Sequence, residues 1–312
     1  MATQQELIKT RYETGATLFS KHALQGLRTQ LHSVRICLDD EVMLYKEILV
    51  HNLNGHLVRF PIERDQIEVP DHRPDHDGIY KTKVPVLGYR SIQRLLSLPE
   101  GSLYAYLPVM VWHRTERRDR KTKELLADWP EADYHTVKRR FAAAKENFGH
   151  EAFGYIKAAL ASAVLPVGIR KVVALACGTM TKANDHSSYR RSMAQHALAL
   201  ALRDHLSASA AHPTTPGESN SSSSSRSTVG MPCYAQDPLY TPLDKRVLEE
   251  DGITVVEDPA AFLEIDEASV VISVNPSIPV RQIIADIADP GPAIIIWNRV
   301  VDSGSGRTLA EG

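Results

Sequence analysis

Several residues in the C-terminal half carry side chains that can bind a ligand or move charge. Asp237 follows the short apolar run Pro232 to Gln236 and precedes Pro238. A carboxylate at the end of a second strand can accept hydrogen bonds from both hydroxyls of a ribose lying across the first turn. The plain alternative is a turn aspartate before proline. Gly178 and Thr179 follow the run Lys171 to Cys177 and precede a helical pattern. A strand, a tight glycine turn and a helix point unpaired N–H groups at a ligand, the way nucleotide-binding α/β domains begin. The further glycines of a G-x-G-x-x-G fingerprint are missing here. Arg190, near the start of that helix, can pair with a phosphate or carboxylate. His186 beside it can donate or shuttle a proton near neutral pH.

Asn275 opens Asn275-Pro276-Ser277-Ile278-Pro279, and Asn298 ends the last apolar run. The first of these resembles the Asn-Pro-Pro-aromatic motif of amino-group methyltransferases, without its second proline or its ring. The plainer reading is a proline-shaped turn into a helix. Two other clusters carry less. His72, Asp75, His76 and Asp77 are metal-ligand types, but Pro74 spoils a helical two-histidine face. The basic run Trp112 to Lys123 is diluted by Glu116 and Asp119 and reads as a solvated helix face. The chain holds no Walker loop, nucleophile elbow or Cys–His pair of known spacing.

These residues need a scaffold, and the pattern supplies one. Lys171 to Cys177, Pro232 to Gln236, Ile253 to Val256, Ser269 to Val274 and Ala293 to Trp297 read as buried strands. Helical patterns separate them. Ala194, Ala197, Leu198, Ala201 and Leu202 form a stripe within Tyr189 to Leu206, and Val280, Ile283, Ile284 and Ile287 form another. Thr241-Pro242-Leu243-Asp244 is a helix start, with a threonine cap and proline at the first position; Gly252 is placed to end that helix. About five strands alternating with helices imply an α/β, doubly wound, mostly parallel sheet. In such a sheet the ligand lies beyond the strands' carboxyl ends, which is where Gly178, Asp237, Asn275 and Asn298 stand.

The first half is less regular and predicts a mixed α+β extension over residues 1–133, with the α/β domain over 134–312. Gln4 to Gln30 and Asp39 to Leu49 read as helices, and His51 to Val69 as a hairpin about Asn54-Gly55. Pro70 to Gly78 reads as a loop, Ser91 to Leu98 as a short helix and Leu103 to Trp112 as a strand interrupted by Pro108. Tyr134 to Val164 reads as one long joining helix packed on the sheet. Ala208 to Gly230 is rich in serine and proline and is expected to be a flexible, disordered insertion.

Composition is ordinary, with 43% hydrophobic residues, 24% charged residues and net charge −2. It gives no electrostatic reason to expect nucleic acid or membrane as a partner. The N-terminal stretch lacks the apolar core of a signal peptide. Cys37, Cys177 and Cys233 are odd in number and form neither a disulfide framework nor a zinc pattern. A reduced cytoplasmic or nuclear setting is expected.

The ordered set VVALACGTM, YRRSMAQHALALAL, YAQDPLYTPLDKRVLEEDGITVV, VVISVNPSIP and AIIIWNRV resembles the sensitivity-to-red-light-reduced (SRR-like) domain family. The most specific match runs from Asp237-Pro238-Leu239-Tyr240-Thr241 to Gly252. Relatives commonly show two glycines where this chain has Ala176-Cys177-Gly178, and its last strand keeps Asn298 without a flanking glycine and serine. The resemblance covers roughly Val164 to Val301 and implies a Rossmann-like fold with a regulatory role. Plant relatives act in light signalling and circadian timing; others are linked to stress responses, growth and haem-related regulation. The serine-rich insertion points to a fungal member. The resemblance implies a protein partner or a small metabolite and supplies no catalytic residue. The alternative expectation is a methyltransferase using S-adenosylmethionine; the cofactor expected, if there is one, is S-adenosylmethionine or another nucleotide. Gly178 and Asp237 would then contact the cofactor and Asn275 would stand near the acceptor.

Overall fold

Residues 3–39, 47–62, 66–69, 79–99, 101–102, 104–148, 153–164, 166, 168–210 and 230–298 are described by a computed structural model. The chain begins with helices α1 (Gln4–Glu13) and α2 (Lys21–Asp39), then a hairpin of β1 (Glu47–His51) and β2 (Leu57–Pro61). Strands β3 (Gln66–Val69), β4 (Ile79–Tyr89), β5 (Val109–Asp119) and β6 (Leu125–Leu126) form an antiparallel sheet in that order. Helix α3 (Ile92–Leu96) lies between β4 and β5. Helices α4 (Tyr134–Asn147) and α5 (Phe153–Ser162) lead to the second half. That half runs β7 (Lys171–Leu175), α6 (His186–Ala210), β8 (Cys233–Gln236), α7 (Pro242–Glu250), β9 (Thr254–Val255), α8 (Ala260–Leu263), β10 (Ser269–Ile272), α9 (Val280–Ile287) and β11 (Ile294–Ile296).

All five strands of the second half are parallel, in the order β11-β10-β7-β8-β9. The first strand, β7, is therefore central. The chain builds outward to β9 on one side, then crosses to β10 on the other. Val172–Leu175 and Ser269–Ile272 are wholly buried, as strands covered on both faces must be. Alternate side chains divide between two cores. Val172, Ala174, Cys233, Ala235, Val270 and Ile272 join the apolar faces of α4, α5, α6 and α7. Val173, Leu175 and Val271 join α8 and α9 together with Leu24, Leu27 and Leu31 of α2 and Ile48 and Val50 of β1. The N-terminal half thus completes one face of the parallel sheet.

Local chemistry explains the element ends. Thr241 caps α7 with its side chain, Asp244 reaches back to the Thr241 N–H, and Pro242 stands in the first turn. Gly252, past the helix end, is left-handed with φ +81°. The β1–β2 hairpin turns through Asn52–His56, as the Asn54-Gly55 pair predicts.

Four expectations are corrected. Gln4 to Gln30 is two helices, not one, separated at Thr14–Ser20. Glu47–His51 is a strand rather than the end of a helix, because β2 supplies its hydrogen-bond partners. Trp112 to Asp119 belongs to strand β5, paired residue for residue with β4 from Tyr89↔Val109 to Ile79↔Asp119. A polar run has no apolar periodicity, so the pairing partner decides its conformation. The expected joining helix is two, α4 and α5, and α4 packs chiefly on α6 and α7. β4 carries Pro85 beyond the reach of β3, which pairs only as far as Thr82; there the missing N–H breaks no ladder with β3. The His72–Asp77 cluster lies outside the described residues. So does the insertion between residues 211 and 229, while Ala208–Ala210 finish α6.

Candidate functional site

The carboxyl ends of β7, β8, β9 and β10 open into one cleft of about 1560 Å³, and β4 and β5 form its opposite wall. The cleft therefore lies over the position where strand order reverses, between β7 and β10.

The first turn, Ala176-Cys177-Gly178, is closed by Asp237. Its Oδ2 accepts the Gly178 N–H at 2.7 Å and its Oδ1 the Leu239 N–H at 2.8 Å. Burial, only partly offset by these two bonds, pushes its carboxyl above the usual range. Ala176 takes the left-handed conformation, φ +55°, and Gly178 does so at φ +77°. An alanine there crowds its own carbonyl, which costs roughly 1–2 kcal/mol. Ala176 therefore carries strain that a glycine at this position would not.

Behind the turn is a buried polar lattice. Thr179 is buried, and its hydroxyl donates to Asp244 Oδ2 at 2.6 Å while the Met180 N–H donates to Oδ1 at 2.7 Å. The helix cap of α7 thereby anchors the turn after β7. Burial raises the Asp244 carboxyl to about 6 against the pull of these donors. Ser192 Oγ donates to the Gly178 carbonyl at 2.6 Å. His196 bonds the Ser192 carbonyl through Nδ1 at 2.7 Å and the Tyr240 hydroxyl through Nε2 at 2.7 Å. Burial lowers its imidazole to about 4, so it is neutral at pH 7.

At the end of β9 two carboxyls differ. Asp258 Oδ1 accepts from Tyr89 Oη at 2.7 Å and Gln236 Nε2 at 2.8 Å, and desolvation raises it to about 7. Glu257 is gripped by Arg35 and Lys245, each at 2.6 Å, and these two cations outweigh its desolvation and hold it down at about 2. At the far side Asn275 is left-handed, φ +56°. Its N–H donates to Asn298 Oδ1 at 2.6 Å, and the Asn298 amide donates to Asn275 Oδ1.

The opposite wall comes from β5, where Trp112, Arg114, Glu116 and Arg118 alternate onto the cleft face. Glu116 is buried between two guanidinium groups, Arg114 at 2.6 Å and Arg118 at 3.0 Å. Arg114 also donates to the Pro238 carbonyl, tying this wall to the segment after β8.

Of the residues expected from sequence, Gly178, Asp237 and Asn275 line the cleft. Asn298 reaches it through Asn275, and Thr179 lies beneath it as a buried brace. Arg190 and His186 are exposed on α6; Arg191, one residue on, lines the cleft instead. Sequence reasoning did not place the β5 wall there. Residues 113–118 are polar on both faces of the strand, so the sequence carried no apolar period of two to reveal it. Among the described residues no group of three or more His, Cys, Asp or Glu side chains could hold a metal. No helix among them is long and apolar enough to cross a membrane.

No curated protein sequence and no solved structure matches the chain. A family model does, over the stretch that supplies the parallel sheet and the floor of the cleft: residues 156–310 match the SRR1 domain.

Proposed function

We propose that this protein is an SRR-like regulatory protein whose doubly wound, Rossmann-like domain binds a small metabolite in the cleft and reports its presence to a protein partner. The setting is cytoplasmic or nuclear signalling of the kind the family resemblance implies: light or circadian timing, stress response or growth. One observation carries the binding reading. The cleft lies where ligands of open parallel sheets bind, and a second sheet walls its opposite side. Asp237 supports it further. Each of its oxygens accepts one backbone N–H, which leaves lone pairs for two ligand hydroxyls.

The geometry favours methyl transfer less. The Asn275 side chain that would hold an amine is committed to Asn298 through its amide oxygen, which keeps one lone pair for an acceptor amine. The cleft is lined by six cationic side chains against four carboxyls, a poor environment for a sulfonium cation.

A thermal-shift screen of the full chain against nucleotides, adenosyl compounds, haem precursors and neutral metabolites tests the reading. At least one compound is expected to raise the melting temperature, and Asp237→Asn to reduce that rise. A screen in which no compound shifts the melt would remove the binding reading.

A further inference from the structure

The first turn of this domain is closed to phosphate. Its Gly178 N–H is already spent on the Asp237 carboxylate, which places negative charge where a phosphate would sit in a dinucleotide fold. Helix α6 begins only at His186, and Asp185 occupies its N-terminus by accepting the Ser188 N–H at 3.0 Å. An anionic ligand must therefore be held elsewhere in the cleft.

The β5 wall provides that place. Arg114 and Arg118 share a single buried carboxylate, Glu116, so the triad carries one net positive charge on the cleft face. Arg191 adds another from the start of α6. A guanidinium pair held in place by a shared carboxylate is pre-organised for bidentate phosphate recognition. Two residues before Arg114, about 7 Å along the strand, stands Trp112. It is 50% exposed although it lines the cleft. It lies against Gly88, where a Cβ would come within 3.3 Å of the indole, so the glycine makes room for the ring. An exposed indole beside paired arginines is a stacking surface next to an anion site.

We infer that the cleft takes a phosphorylated nucleoside in the polarity opposite to a dinucleotide fold. The phosphates lie on Arg114, Arg118 and Arg191, the base on Trp112 and the sugar hydroxyls toward Asp237. This rests on the binding reading above and specifies its ligand class. It also places two of the three anion-binding arginines, Arg114 and Arg118, in the N-terminal half, outside the residues that match the SRR1 domain, and Arg191 within them.

The test is calorimetric titration of the full chain with the four ribonucleoside triphosphates, their nucleosides and inorganic pyrophosphate. At least one triphosphate is expected to bind below about 1 mM, and its nucleoside at least about 10-fold more weakly. The affinity should fall steeply with salt. Arg114→Gln with Arg118→Gln should weaken triphosphate binding about 10-fold or more. Because that pair leaves Glu116 buried without partners, Arg191→Gln, exposed and peripheral to the fold, is the second variant, with the same direction of effect. Trp112→Ala should weaken the triphosphate and leave pyrophosphate binding unchanged. A nucleoside that binds as tightly as its triphosphate, or wild-type affinity in both arginine variants, overturns the inference. So does pyrophosphate binding as tightly as the nucleotides, which would remove the ring contact. If no phosphorylated probe binds while a neutral metabolite stabilises the chain, this inference fails and the binding reading stands. If nothing binds in either experiment, both fail.

Discussion

Asp258 shows how one residue's surroundings set its chemistry. Its neighbour Glu257 is ionised by Arg35 and Lys245, whereas Asp258 meets two neutral donors, Tyr89 and Gln236, in a poorly solvated site. Neutral donors offset desolvation less than cations do, so its carboxyl titrates at about 7. The folded value lies above the unfolded one, about 4. The contribution of Asp258 to stability is therefore fully present below about pH 4 and lost as pH rises through about 7. His196 acts in the other direction. Its folded value of about 4 is depressed, and it costs stability as pH falls below about 6.5, where the unfolded imidazole protonates. The two can be separated by Asp258→Asn, which keeps an acceptor for Tyr89 or Gln236 and removes the titration. Urea unfolding between pH 4 and 8 should show the wild type losing stability relative to this variant as pH rises, by a few kcal/mol at most. Parallel pH profiles for the two proteins would show that the Asp258 carboxyl is not perturbed.

At the scale of elements, the turn after β7 is shaped by the helix after β8. Asp244 belongs to the capping box of α7, yet its two oxygens also take the Thr179 hydroxyl and the Met180 N–H. A motif that sequence reveals as a local helix start is thus also a tertiary brace beneath the candidate site. Asp244→Ala removes the returning half of the capping box, leaves the Thr241 cap itself in place, and strips the Thr241 N–H, the Thr179 hydroxyl and the Met180 N–H of their buried acceptor. We expect a loss of about 2–4 kcal/mol, more than the roughly 1 kcal/mol of an ordinary cap. Hydrogen exchange at the Met180 amide should accelerate more than at the amides of β10, which Asp244 does not touch. Equal acceleration throughout would mean a general loss of stability and no local brace. Strand β5 makes the complementary point: its cleft face is set by β4, which pairs with it along eleven residues.

For the whole molecule, the decisive feature is that the two halves share a core. Phe19, Leu24, Leu27 and Leu31 are buried in the same cluster as Phe262, Ile265, Ile283 and Val271. Polar ties cross the same boundary. Asp286 accepts the Leu18 and Phe19 N–H groups, Lys21 donates to the Ile265 carbonyl, and Tyr89 holds Asp258. Each large side chain uncovered loses about 1.5–3 kcal/mol of burial. Four such losses match the 5–15 kcal/mol stability typical of a whole domain. A fragment limited to residues 156–312 should therefore lack a cooperative thermal transition and bind the dye ANS strongly, while the full chain melts cooperatively. A fragment that melts within a few degrees of the full chain would show that the matched region is self-sufficient.

The sequence alone determined the five strands, their alternation with helices, the α7 cap and the alignment of Gly178, Asp237 and Asn275 with the strand ends. These are local properties: runs of apolar residues, caps and turn residues act over a few positions, and their spacing survives in one dimension. The family resemblance was carried by that same ordered series. Other features were decided by tertiary structure. Whether Thr179 faces a ligand or a buried carboxylate depends on Asp244, 65 residues away. Whether Arg190 or Arg191 reaches the cleft depends on the rotation of α6 against the sheet. Whether Trp112 to Asp119 is helix or strand depends on β4, because a run polar on both sides carries no periodic apolar signal of its own. The opposite wall of the cleft is formed by contacts distant in sequence, and packing and pairing of that kind leave no local pattern to read.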